Sequence, residues 1–164
     1  MSHTCKALVV TCMDFRFQTA IRKFLKAQGL IDSYDLFSVA GTQKTFLNPE
    51  TQATALKQVE LSAKLHGMTD VYLIAHWDCG AYGGNATLGG GESEKNKYIQ
   101  DLASAEAIIK KHFPNLKVRK YLARFGSNNF WDKFVFFCIN VIGKVFSPSV
   151  DNQNIKSKVY FELV

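Results

Sequence analysis

Short, β-branched apolar runs alternate along this chain with segments of helical periodicity, and that alternation is the strongest constraint on its fold. Lys6 to Thr11 reads as a strand buried on both faces, because its Ala-Leu-Val-Val centre offers no polar side. Phe15 to Gln28 sets Phe17, Ile21, Phe24 and Leu25 at helical spacing, with Gly29 as a C-terminal stop. Tyr34 to Val39 reads as a second strand. Pro49 then introduces a helix over Glu50 to His66, which Gly67 ends. Asp70 leads into Val71-Tyr72-Leu73-Ile74-Ala75, the clearest buried strand. A glycine-rich surface loop from Gly80 to Gly91 follows, and then a helix from Glu92 to His112 closed by Pro114. Lys117 to Ala123 is the fourth strand. This order predicts an α/β fold, a single domain with a mainly parallel central sheet flanked by helices on both faces.

Beyond Arg124 the pattern loosens. Phe134 to Ile142 fits a strand or a buried helix, which periodicity cannot separate. Ser147 to Lys156 reads as a surface loop and Lys158 to Val164 as a terminal strand. The length of 164 residues suits one domain over 1–164, with 124–164 an atypical C-terminal region that packs or forms a dimer surface.

The formal charge of +6 raises the question of nucleic-acid binding. The lysines are dispersed, with no dense run, and pairs such as Lys57 with Glu60 fit solvated helix faces. No nucleic-acid partner is expected. The first apolar run, Ala7 to Val10, is too short for a signal peptide. Phe134 to Phe146 contains Asn140 and Lys144 and is too short to span a bilayer, which takes roughly 20 apolar residues. Four cysteines are too few for a disulfide scaffold, so Cys5 and Cys138 read as structural thiols. The expectation is a soluble, cytoplasmic protein with no membrane partner.

Two motifs carry chemistry. In Cys12-Met13-Asp14-Phe15-Arg16, a spacing of two aligns Cys12, Asp14 and Arg16 if the chain stays extended. In His76-Trp77-Asp78-Cys79-Gly80, a short turn lets an imidazole and a thiolate converge on one ion. Cys12 follows the first strand and His76 follows the third, at the edge where parallel sheets bind ligands. Two thiolates and an imidazole suit zinc, and three protein ligands leave the fourth tetrahedral position open. Each half alone would be ordinary, since cysteine is often a small core residue. Their common placement at two strand ends is not. Trp77, Phe15, Phe17 and Phe37 are candidates for an apolar pocket, while His3, His66 and His112 have no partner at ligand spacing.

These residues resemble the beta-class carbonic anhydrases, of the short, compact type. Cys12, Asp14 and Arg16 match the family's CxDxR motif, and His76, Cys79 and Gly80 match its HxxCG motif. The resemblance covers roughly Ala7 to Ala123. It implies one zinc ion per chain held by Cys12, His76 and Cys79, with Asp14 and Arg16 as a catalytic dyad. It implies reversible hydration of carbon dioxide to bicarbonate and a proton by a metal-bound hydroxide. It also implies a conditional state in which Asp14, released by Arg16, becomes the fourth zinc ligand, and assembly into a homodimer or higher homo-oligomer. One departure stands out. The family usually carries an Arg-Asn-Ala-Gly type segment after the second strand, whereas Ser38-Val39-Ala40-Gly41 stand here. The Ala-Gly pair preserves the close backbone approach; the arginine and asparagine are replaced. Two alternatives stay open on the sequence. One is a carbonyl sulfide or carbon disulfide hydrolase on the same fold, the other a zinc-binding regulatory homologue without turnover.

Overall fold

The computed structural model describes residues 3–126 and 159–164. Among the described residues, five strands form one sheet in the order β2-β1-β3-β4-β5: β1 Ala7–Thr11, β2 Tyr34–Ser38, β3 Asp70–His76, β4 Lys117–Phe125 and β5 Val159–Leu163. β1, β2, β3 and β4 are mutually parallel, and β5 runs antiparallel to β4. The mainly parallel sheet read from the sequence is therefore the one observed, with its antiparallel strand at the edge. The expected terminal strand is β5. The Phe134 to Ile142 segment, the Ser147 to Lys156 loop and Cys138 lie outside the described residues.

Alternation along the strands sorts the core into two faces. Ala7, Val9, Tyr72, Ile74, Tyr121 and Ala123 point to one side, where α1 (Gln18–Ala27) buries Ile21, Phe24 and Leu25 against them. Leu8, Val10, Val71, Leu73, Ala75 and Leu122 point to the other. There α3 (Pro49–His66) contributes Ala55 and Val59, and α5 (Gly91–His112) contributes Leu102, Ala105 and Ile109. Strands buried on both faces need this double cover, which explains their lack of polar alternation.

Local chemistry sets the helix ends. Asn48 caps α3 by accepting the Glu50 N–H at 3.0 Å, Pro49 occupies the first turn, and Gly67 terminates it at φ +64°. The helix expected from Phe15 starts later, at Gln18, because Phe15 and Arg16 form a turn in which the Arg16 N–H donates to Asp14. The glycine-rich loop is corrected too. Gly80–Tyr82 forms a turn of 3-10 helix and Gly84–Leu88 forms α4. Asp78 Oδ1 accepts the Asn85 N–H at 3.0 Å near the start of α4. Another short helix, α2 (Lys44–Leu47), joins β2 to α3 and has too few residues to show a period. No described helix is long and apolar enough to cross a membrane.

The connections place the site. From β1 the chain passes through α1 to β2 on one side, whereas from β3 it passes through α5 to β4 on the other. Connections thus diverge between β1 and β3, and the crevice at the carboxyl ends of these two strands is the topological switch point. Thr11 and Ile74 are paired there, so the residues that follow β1 and those that end β3 meet.

Candidate metal centre

Cys12, His76 and Cys79 converge in that crevice. Their ligand atoms lie within 4.8 Å of one another, and all three residues are buried. Cys12 Sγ and Cys79 Sγ are 3.9 Å apart. His76 Nδ1 is hydrogen-bonded to the Trp77 carbonyl at 2.8 Å, so Nδ1 carries the proton and Nε2 is left with its lone pair. That Nε2 is fully buried and has no hydrogen-bond partner. An orphaned imidazole nitrogen beside two sulfurs is expensive in a packed interior unless it has an electrophile to bind. The donor set therefore fits a borderline-soft divalent ion with three protein ligands.

The surroundings prepare the sulfurs. The Gly41 N–H donates to Cys12 Sγ at 3.5 Å, and the Cys79 thiol is hydrogen-bonded to the same atom. The Cys12 thiol is pushed well down, chiefly by that bond from Cys79, with burial opposing; Cys79 is pushed up by the same interaction. Gly41 is needed for the approach. Its φ is +78°, and a Cβ there would sit 3.0 Å from Ala81 Cβ and 3.2 Å from Lys44 Cβ. The close packing expected from the retained Ala40-Gly41 pair is present.

Asp14 and Arg16 form the pair that the family resemblance implies, but across a turn rather than along the extended chain their spacing assumed. Arg16 Nε donates to both carboxylate oxygens of Asp14, at 3.0 and 3.1 Å, and Nη2 donates to Oδ2 at 2.7 Å. This bidentate guanidinium, more than any other neighbour, holds the Asp14 carboxyl below the usual carboxylate range. Asp14 Oδ2 lies 3.8 Å from the free His76 Nε2. Beyond it opens a cleft of about 560 Å³ lined by Asp14, Phe15, Arg16, Asp78, Gly80, Gly83 and Gly84.

Asp78 is a residue of this site that spacing alone missed. Arg16 Nη1 donates to Asp78 Oδ2 at 3.0 Å and Nη2 donates to the Asp78 carbonyl at 2.9 Å. Asp78 adopts φ +55°, an uncommon conformation for a residue with a Cβ. Its N–H donates to Glu94 Oε1 at 2.6 Å. Glu94 is fully buried and also accepts the Tyr98 hydroxyl, which in turn accepts the Cys79 N–H at 3.1 Å. A buried carboxylate on α5 thus fixes the backbone of the His76-to-Cys79 turn. The only sequence sign of it was an acidic residue in the first turn of a long helix.

The aromatic candidates divide. Phe15 is 85% exposed and lines the cleft. Phe17 is fully buried and packs its ring 4.5 Å from that of His76. Phe37 lines a different cavity, near the opposite end of the sheet. His66 has no partner at ligand spacing in the sequence, but the fold brings it to Asp35 and Cys5, residues too distant in sequence for spacing to connect.

Similarity to known proteins agrees with this geometry. A family model described as "Putative carbonic anhydrase" matches residues 2–128. An uncharacterized protein of Rickettsia conorii is 31% identical over 121 residues, which span 70% of this chain and 65% of that protein. An uncharacterized protein of Rickettsia bellii is also 31% identical over 121 residues, spanning 70% of this chain and 74% of its own length.

Proposed function

This chain belongs to the family described as "Putative carbonic anhydrase", and from that membership we propose that it is a beta-class enzyme. It hydrates carbon dioxide reversibly, using one zinc ion held by Cys12, His76 and Cys79. The observation that carries this reading is the buried, partnerless His76 Nε2, set among two sulfurs and 3.8 Å from Asp14 Oδ2. Zinc, when bound, supplies Lewis acidity that makes water a nucleophile near neutral pH.

The chain's own residues do the rest. Cys12 and Cys79 would hold the ion and, as thiolates, would blunt its acidifying effect on water. A nearby proton acceptor is therefore valuable, and Asp14 Oδ2 occupies that position. Because Arg16 keeps Asp14 ionised, its carboxylate stores a proton poorly. It would act instead by accepting a hydrogen bond that orients the water, with the proton passing to solvent in the open cleft. Arg16 in turn is gripped by Asp14 and Asp78, which fixes the angle at which the carboxylate faces the site. Release of Asp14 from Arg16 would let the carboxylate compete for the open position, the closed state implied by the family resemblance. The Arg16 bonds favour the open arrangement. Pairing of chains into a homodimer belongs to the same reading.

An Asp14→Asn protein tests the assignment. It is expected to keep its zinc while carbon dioxide hydration falls by about 10²-fold, the scale of general acid–base assistance. Parallel assays on carbonyl sulfide and carbon disulfide separate the sulfur substrates. Faster turnover of either than of carbon dioxide would contradict the substrate proposed.

A further inference from the structure

A second cluster of ligand-type side chains lies at the other end of the sheet. Cys5 precedes β1, Asp35 is on β2 opposite Leu8, and His66 is the last residue of α3. The potential ligand atoms of these three residues lie within 4.8 Å of one another. Asp35 Oδ2 is their centre. It is 2.8 Å from His66 Nδ1, 3.6 Å from Cys5 Sγ and 2.6 Å from the hydroxyl of Ser62, one turn before His66. The imidazole N–H and the Ser62 O–H thus converge on one carboxylate oxygen, and the Cys5 S–H is shared between that oxygen and the Ala7 carbonyl at 3.5 Å.

The backbone holds the cluster together. The Cys5 N–H donates to the His66 carbonyl at 2.9 Å, and the Lys6 N–H donates to the Ser33 carbonyl at 2.9 Å. His66 and Ser62 share one face of α3, four residues apart. The C-terminal end of that helix adds negative potential, which favours a cation over an anion. Asp35, Ser62 and His66 also line a cavity of about 310 Å³.

We propose that Cys5, Asp35 and His66 form a second binding site for a zinc-class divalent transition metal, separate from the Cys12–His76–Cys79 centre. The ion replaces the hydrogens that now bridge Cys5 and His66 to Asp35. The thiol proton leaves to solvent, and the imidazole carries its proton on Nε2 while Nδ1 binds. One thiolate, one imidazole and one carboxylate make a donor set that zinc and cobalt(II) accept. The cavity leaves the ion's remaining position open to water or a small ligand. This site does not depend on the function proposed for the other end of the sheet.

Titration of the metal-free full chain with Zn²⁺, and with Co²⁺ followed by its thiolate absorption, tests the site. The wild-type chain is expected to take two equivalents. Cys12→Ala is expected to keep one, and Cys5→Ser and His66→Gln each to lose the second while keeping the first. A single equivalent that vanishes in Cys12→Ala overturns the site, as does a second equivalent untouched by Cys5→Ser and His66→Gln. Alkylation of the unmutated chain, located by peptide mass, guards against a folding defect in the variants. Cys5 should become protected from iodoacetamide only as the second equivalent binds; labelling of Cys5 unchanged by zinc overturns the proposal.

Discussion

His76 Nε2 and Asp14 Oδ2 stand 3.8 Å apart, the first on a side chain 2% exposed and the second on one 15% exposed. One atom is buried without a hydrogen-bond partner, while the other belongs to a carboxylate that lines the cleft. An unpaired imidazole nitrogen and a carboxylate oxygen are therefore neighbours across the boundary between core and solvent. The consequences of that arrangement can be measured residue by residue.

Asp78 holds Arg16 from the side opposite Asp14. Asp78→Asn removes the charge that faces Arg16 Nη1 and keeps the backbone carbonyl that faces Nη2. Since the carboxylate is partly exposed, the loss is moderate. Carbon dioxide hydration, as kcat/KM, is expected to fall roughly 3- to 10-fold with zinc content unchanged. Unaltered kcat/KM in the zinc-loaded variant would show that Arg16 needs no second anchor.

Gly41→Ala tests the backbone approach to Cys12. The substitution strains a φ of +78° and drives a methyl group against Ala81 and Lys44. A cost of about 1–3 kcal/mol is expected in the metal-free protein. Zinc affinity should fall as well, because the N–H of Gly41 points at Cys12 Sγ. Denaturant unfolding and a competitive chelator titration give the two numbers. Wild-type values in both would rule out a structural need for glycine there.

Tyr98→Phe removes the hydroxyl that links the Cys79 N–H to buried Glu94. The side chain is fully buried, so a new solvent partner is not at hand. Leaving the Cys79 N–H unpaired is expected to cost about 1–3 kcal/mol of stability. Equilibrium unfolding in urea reads the change directly. A difference near zero would mean that the turn is held by other contacts.

Acid sensitivity follows from three aspartates with lowered pKa values. Arg16 is the main cause for Asp14, and the Asn85 N–H, followed by Arg16, for Asp78. Burial pushes Asp35 up, but bonds from His66 and Ser62 more than offset it. Each group is more acidic folded than unfolded, so its contribution to stability is present above the ordinary carboxylate pKa of about 4. It is lost as pH falls through the folded value. The metal-free protein should therefore lose thermal stability below about pH 4, and Asp35→Asn should flatten part of that slope. An Asp35→Asn profile parallel to wild type would contradict the assignment for Asp35.

Much of this is legible in the amino-acid sequence alone. Strands such as Ala7–Thr11 and Asp70–His76 announce themselves because burial on both faces leaves no polar residue among the central positions. Cys12 and His76 were placed by strand ends, so a correct strand boundary was enough to bring them together. Asp78 was visible inside the motif, but its grip on Arg16 depends on a φ of +55° and on a buried glutamate sixteen residues later. Neither has a periodic signature. The pair of His66 and Asp35 spans 31 residues and exists only because α3 returns across the sheet to the start of β1. The glycines from Gly83 to Gly91 suggested a loop; they instead punctuate two short helical turns and the start of α5.

The activity proposed for this chain is carbon dioxide hydration driven by a zinc ion held by Cys12, His76 and Cys79. Stopped-flow hydration by the zinc-loaded chain, with Cys12→Ala as the blank, tests it most directly. The wild-type rate is expected to rise in proportion to zinc bound at the Cys12 centre, and Cys12→Ala to match the uncatalysed reaction. A wild-type protein with zinc at that centre that hydrates carbon dioxide no faster than Cys12→Ala would contradict it.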